Sequence, residues 1–372
     1  MAEQTVSHFK IEQSIAQDVV PPSPFIPNFG NIFPKFVPVI PKTAWELWYF
    51  DGISSEDQSA IVIAVTRDAR GLKLGGFKVQ VFVVWSDHRT WHRDLFFPES
   101  IVKSDDNGAT TGIWKDTGGN NSISFGVTGD SSRATLVFAV PGVVQGKMHL
   151  KALPGDIGLN TDPALGPSVV YVRPIGRASV QAELSLFSPD STEPQHFALG
   201  TSANGGMDRV WSMLSWPQVM TESYYLRAHV GPYAMQIMRI FSELDSGNKP
   251  YTMARLYCEG KLVCTAQQVI NHGDDASSDS LILSKEYGDS PAGAVTGAYR
   301  DKNTGYVVEF VEGENKRSWR FRVSHQGIIW NTPTSDPGPD ATGNTGFMEL
   351  VIGGADGESY RGIGTGGQCE MS

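Results

Sequence analysis

Cysteine is scarce: Cys258, Cys264 and Cys369 are the only three in 372 residues. So small and odd a set in a chain this long argues against a disulfide framework and for free thiols in a reducing compartment. No apolar run approaches the roughly 18 residues that a membrane-spanning helix needs. The opening stretch, MAEQTVSHFKIEQSIAQDVV, lacks the basic start and apolar core of a secretion signal. A cytoplasmic protein without a membrane span is therefore expected. Positive charge is also short, with 30 Lys and Arg against 40 Asp and Glu and a net charge of −10. The basic residues are scattered singly, which disfavours nucleic acid or an anionic membrane as partner.

Recognisable reaction centres are missing too. His88 and His92 have the spacing of a metal pair on a helix, but SDHRTWHRD lies between strand patterns. Along a strand four residues cover about 13 Å, too far for two ligands of one metal ion. GIGTGG, residues 362–367, shares letters with a dinucleotide fingerprint but closes the chain and opens no helix. No GxSxG elbow and no Cys–His context for a nucleophile appears. A carboxylate pair stays open, because Asp and Glu are numerous. The expectation is a site with no metal and no cofactor.

What is present is β-pattern. AIVIAVT (60–66), FKVQVFVVW (77–85), ATLVFAV (134–140) and SVQAELSLF (179–187) are rich in β-branched residues or alternate with period two. YYLRAHV, YAMQIMRIF, SWRFRVSH and GFMELVI continue the pattern, and TMARLYCEGKLVCTAQQVI reads as a hairpin about Glu259-Gly260. No amphipathic helix longer than about three turns stands out, so the fold class is all-β, a sandwich or barrel. Residues 20–42 are dense in proline, which blocks helix and central strand alike. They predict an extended arm laid on the body, with Phe25, Phe29, Phe33 and Phe36 as anchors. The Gly- and Ser-rich segment 198–218 predicts a domain boundary. The expected organisation is an arm (1–42), an N-terminal domain (43–215) and a C-terminal domain (216–372).

Two stretches suggest a lined cavity. In TAWELWYFDG (43–52), alternation places Trp45, Leu47 and Tyr49 on one face and Glu46, Trp48 and Phe50 on the other, setting an acid among rings. In FKVQVFVVW one face is apolar, while Lys78, Gln80, Phe82 and Val84 form a mixed face that suits either solvent or a pocket wall. Residues 210–241 hold two Trp, three Tyr (Tyr225 among them) and four Met, which serve a core or a long apolar ligand equally well. The residues alone leave two readings: a carrier of an apolar small molecule, or an enzyme that works only by shaping its ligand.

NIFPKF, TAWELWYFDGIS, GGFKVQVFVVW, PGVVQGKMHL, GGMDRVWSMLSWPQVMTESYYL, VGPYAMQIMRIF and NTPTSDPGPDATGNTG together resemble the fungal decalin-forming Diels–Alderases, and among them the equisetin- and fusarisetin-type trans-decalin synthases. The resemblance runs from about residue 5 to the C-terminus. It implies an N-terminal β-sandwich and a C-terminal lipocalin-like β-barrel with a ligand pocket at their interface. It implies intramolecular [4+2] cycloaddition of a linear polyenoyl tetramic acid released by a polyketide–peptide synthase, with no cofactor. Residues carried over from a phomasetin-type member place Glu46 near the polar head and Tyr171, Trp216 and Trp330 around the polyene. That member has lysine, asparagine and tyrosine where this chain has Asn344, Phe82 and Thr66. The candidate set is therefore Glu46 and Asn344 as catalytic polar groups, with Thr66, Gln80, Phe82, Tyr171, Trp216, Tyr225 and Trp330 binding substrate. Oligomeric state stays open, a homo-oligomer included.

Overall fold

The computed structural model describes residues 4–155, 163–189, 191, 193–245, 247–269, 277–288 and 293–371. Two compact units emerge: residues 1–164 with 168–215, and residues 165–167 with 216–372. The short excursion at 165–167 had no sequence signal. Among the described residues the only α-helix is the four-residue Trp216–Val219, and no helix is long and apolar enough to cross a membrane.

The first unit is built on a 13-stranded sheet, with Thr5–Lys10 as an edge strand, and carries a separate parallel pair of Ile15–Ala16 with Ile40–Pro41. The β-rich segment 60–68 is paired on both sides, by the Trp45–Ser54 and Phe77–Val84 strands, and its residues are nearly all buried. Trp48 packs its ring at 5.4 Å from Trp114 and 5.8 Å from Phe125. Those partners sit on the Thr110–Lys115 and Ser122–Val127 strands, far from Trp45–Ser54 in the strand order. The sheet therefore curls back on itself, and the expected sandwich is two layers of one continuous sheet around one core. The Pro-rich arm adds Phe36 and Ile32 to that core, with Phe25 and Phe33 packed partly against it. Phe29 departs from expectation: it is 59% exposed and anchors nothing.

The second unit is a 10-stranded sheet that nearly closes into a barrel. Its two ends approach where Thr265 N–H donates to Asp279 (2.8 Å) and the Cys264 thiol faces the Val311 carbonyl (3.8 Å). The Glu259-Gly260 hairpin forms as read, with φ of 51° and 77° giving the doubly left-handed turn that suits strand twist. Leu226, Met235, Leu256, Phe310, Phe321 and Val351 help to fill the interior. One end of that interior is polar: buried His325 meets the Glu349 carboxylate at 2.8 Å and stacks on Phe347. GIGTGG lies inside the Tyr360–Glu370 strand.

Candidate functional site

In the first unit, strand register decides which candidates share a face. Tyr171 pairs with Val210, Val210 with Leu47, and Leu47 with Thr66. One step along, Asp208, Tyr49, Ala64 and Gln80 form the next row, and Gly206, Asp51, Val62 and Phe82 the row after. Side chains alternate along each strand, so Tyr171, Thr66, Gln80 and Phe82 lie on one face of the sheet. The Thr66 hydroxyl donates to the Lys78 carbonyl at 2.7 Å, Gln80 donates to Asp94 at 3.0 Å, and Phe82 stacks on His92 with 5.6 Å between ring centres. His88 stands in a turn with φ 63°.

Glu46 faces the other way. Its row is Trp211, Glu46 and Arg67, on the side of the core that holds Trp48 and Phe50. It is 0% exposed. Its carboxylate accepts the backbone N–H of Lys35 (3.2 and 3.1 Å) and of Phe36 (2.9 Å), and pairs with the Arg209 guanidinium. Arg209 lies 4.0 Å from the Trp48 ring centre and also donates to the Leu47 and Val210 carbonyls. Arg67, opposite Glu46 in the strand register, bonds instead to Ser7 and Ser100. The Lys35 ammonium donates to Pro24 and Asn31, and burial together with the Arg209 charge pushes its pKa down to about 8. In this geometry the acid among rings fastens the N-terminal arm to the first unit.

Sequence reasoning missed three neighbours of the Tyr171 face. Asp51 and Asp208 are buried there, and Asp51 accepts the Gly206 N–H at 2.8 Å. Arg173 lies 5.1 Å from the Tyr171 ring centre with its Nε 3.4 Å from the hydroxyl. Asp51 was open to the period-two rule through Leu47 and Tyr49. Arg173 was open to the same rule, two residues from Tyr171 on one strand, whereas Asp208 joins only through its pairing with Tyr49 on a strand distant in sequence.

In the second unit Tyr225, Gly367, Gly346 and Trp330 form one row across four neighbouring strands. The row faces outward from the barrel, because the alternate residues Tyr224, Leu226 and Val351 are interior. The half-buried Trp330 donates its indole N–H to the Asn344 side-chain oxygen at 2.9 Å. An indole nitrogen only donates, so that bond fixes the amide: Oδ1 faces the ring, and the NH2 group is left to serve as a donor. Buried Arg227 donates to the Tyr225 hydroxyl at 2.8 Å. Trp216, on its four-residue helix, stands outside the row.

The whole chain, residues 1–372, matches the family described as Diels-Alderase-like. The Diels-Alderase fsa2 of Fusarium sp. (strain FN080326) is 67% identical over 374 residues, covering 100% of both chains. A Diels-Alderase of Gibberella fujikuroi is 61% identical, again over 100% of each. The crystal structure of CghA with Sch210972 aligns with a TM-score of 0.91 at 32% identity, covering 99% of each chain.

Proposed function

The chain belongs to the Diels–Alderase-like family, and we propose that it closes a linear polyenoyl tetramic acid into a trans-decalin by intramolecular [4+2] cycloaddition. The observation that carries this reading is full-length identity of 67% to a Diels–Alderase. We place the reaction in the cytoplasm, on a substrate released by a polyketide–peptide synthase.

The chemistry asks no nucleophile of the side chains. All bonds made and broken belong to the substrate, so the reaction calls for no cofactor, and catalysis consists of holding diene and dienophile in a reactive fold. Well-oriented intramolecular arrangements recover up to about 7–11 kcal/mol of barrier. A twentyfold preference for one diastereomer needs only about 1.8 kcal/mol between competing transition states. Flat rings such as Tyr171, Phe82, Tyr225, Trp216 and Trp330 can supply that by shape. A neutral donor to the carbonyl conjugated with the dienophile lowers the barrier further as charge builds on that oxygen. The Asn344 NH2 group fits this role, with Gln80 and Thr66 as further polar contacts. Glu46 has a structural role, holding the arm, consistent with its closed set of donors.

Extract from cells lacking the protein, supplemented with purified protein and resolved by chromatography with mass detection, tests the assignment. One trans-decalin should accumulate at the expense of the linear precursor and of the other diastereomers. An unchanged diastereomer mixture would overturn it.

A further inference from the structure

The outward row of the second unit contains two adjacent glycines, and Trp330 lies on them. A Cβ placed on Gly346 would sit 2.2 Å from Cε3 and Cζ3 of the indole and 2.3 Å from Cδ2. A Cβ on Gly367 would lie 3.5 Å from Cζ2, at the far side of the same ring. The indole is therefore laid flat across two bare strands, in the direction of Tyr225. Neither glycine has a left-handed φ, so both backbones accept alanine. What the glycines supply is room.

We propose that Gly346, with Gly367 beside it, is a specificity-determining position: the bare backbone seats Trp330 flat, and that seat decides which decalin diastereomer forms. The proposal rests on the reading above, that Trp330 touches the polyene. Carbon atoms in ordinary contact are about 3.5–4.0 Å apart, so one methyl at Gly346 drives the ring off the sheet by more than about 1 Å. Tryptophan has two side-chain torsions and no flexible tip, so the displacement is a tilt of the whole indole. A tilt of that size breaks the 2.9 Å bond to Asn344 and releases the amide whose NH2 group that bond aims. Gly346 is thus a positioning residue that acts through Trp330 on both shape and donor, since a flat indole is the kind of surface a planar conjugated polyene stacks on.

A double-mutant cycle tests this. Gly346→Ala, Trp330→Ala and the double variant are compared with wild type for cyclisation rate, diastereomer ratio and thermal midpoint. Gly346→Ala should cut the diastereomer ratio by about tenfold, a fraction of the about hundredfold in rate that a 1 Å misplacement can cost. In the Trp330→Ala background, the same substitution should have no further effect on ratio, because there is no ring to displace. A folded Gly346→Ala enzyme with the wild-type ratio, while Trp330→Ala alters it, overturns the inference and leaves the functional reading intact. Additive effects in the double variant overturn it as well. A wild-type rate and ratio from Trp330→Ala removes Trp330 from the site, which is a failure of the underlying reading. If Gly346→Ala does not fold, Gly367→Val pushes on the far edge of the ring: a shifted ratio supports the seat, and a wild-type ratio from the folded variant overturns it.

Discussion

The two units hold a polar side chain among aromatic rings in opposite ways. In the first, Glu46 is sealed in the core, where two backbone N–H groups and Arg209 take its oxygens and the rings around it are packing. In the second, Asn344 is half-buried on the outer face of a barrel and its side-chain oxygen accepts from Trp330, a ring that itself rests on bare backbone. A buried ion pair that loses one member strands the other in low dielectric and costs stability. A single bond near the surface costs little stability when broken but changes where a ring points. The difference separates the residues that keep the protein folded from those that shape its ligand.

The sharpest way to break that contrast is Glu46→Gln. It leaves Arg209 buried without its counter-charge, and unfolding stability should fall by about 3 kcal/mol or more in denaturant titrations. At a temperature where the variant stays folded, the diastereomer ratio should match wild type. Wild-type stability with lost turnover would return Glu46 to the ligand.

Next in size is a pair of substitutions at Asn344. Asn344→Leu removes both the acceptor for the indole and the donor, and should slow cyclisation about tenfold and degrade the product ratio. Asn344→Asp keeps the acceptor, so it should slow the reaction yet hold the ratio. Equal loss of ratio in both would show that the bond to Trp330 does not govern pose.

Smaller still is the exchange toward the phomasetin-type pattern. Asn344→Lys with Phe82→Asn should shift the diastereomer ratio several-fold, an effect of about 1 kcal/mol between transition states. Full activity with an unmoved ratio would take both positions out of the stereochemical argument.

The mildest test concerns the arm. Lys35 has a folded-state pKa of about 8, below its ordinary value of 10.5, because it is buried beside Arg209. The folded protein therefore binds fewer protons than the unfolded chain between those values, and the stability owed to this group rises with pH across that window. Wild type should gain on Lys35→Met as pH rises from about 8 to 10, read from denaturant midpoints. A difference that stays constant with pH would mean that the ammonium is not held in the core as described.

Alternation within a strand was legible in the sequence. It separated Glu46, Trp48 and Phe50 from Leu47 and Tyr49, and the structure keeps that division. It could not say which face meets the core, because that depends on pairing with a strand some 160 residues away, where Arg209 lies 163 positions from Glu46. The same limit hid Asp208, while Arg173, two residues from Tyr171 on its own strand, was within reach of alternation. Continuity of hydrogen bonding is likewise absent from period-two patterns, so the sequence could indicate a sandwich but not that its two layers are one sheet curled over. Proline density located the arm, but not that Ile32 rather than Phe29 would be its buried contact. Gly346 carried no signal of its own: its meaning is the ring on the neighbouring strand.

The most direct test of confinement as the source of catalysis is a single-turnover measurement with purified protein in excess over the linear polyenoyl tetramic acid. The account predicts that the precursor disappears faster than in buffer and that one trans-decalin dominates from the earliest time point. Tight binding of the precursor with the spontaneous rate and ratio unchanged would contradict it and leave a carrier in place of an enzyme.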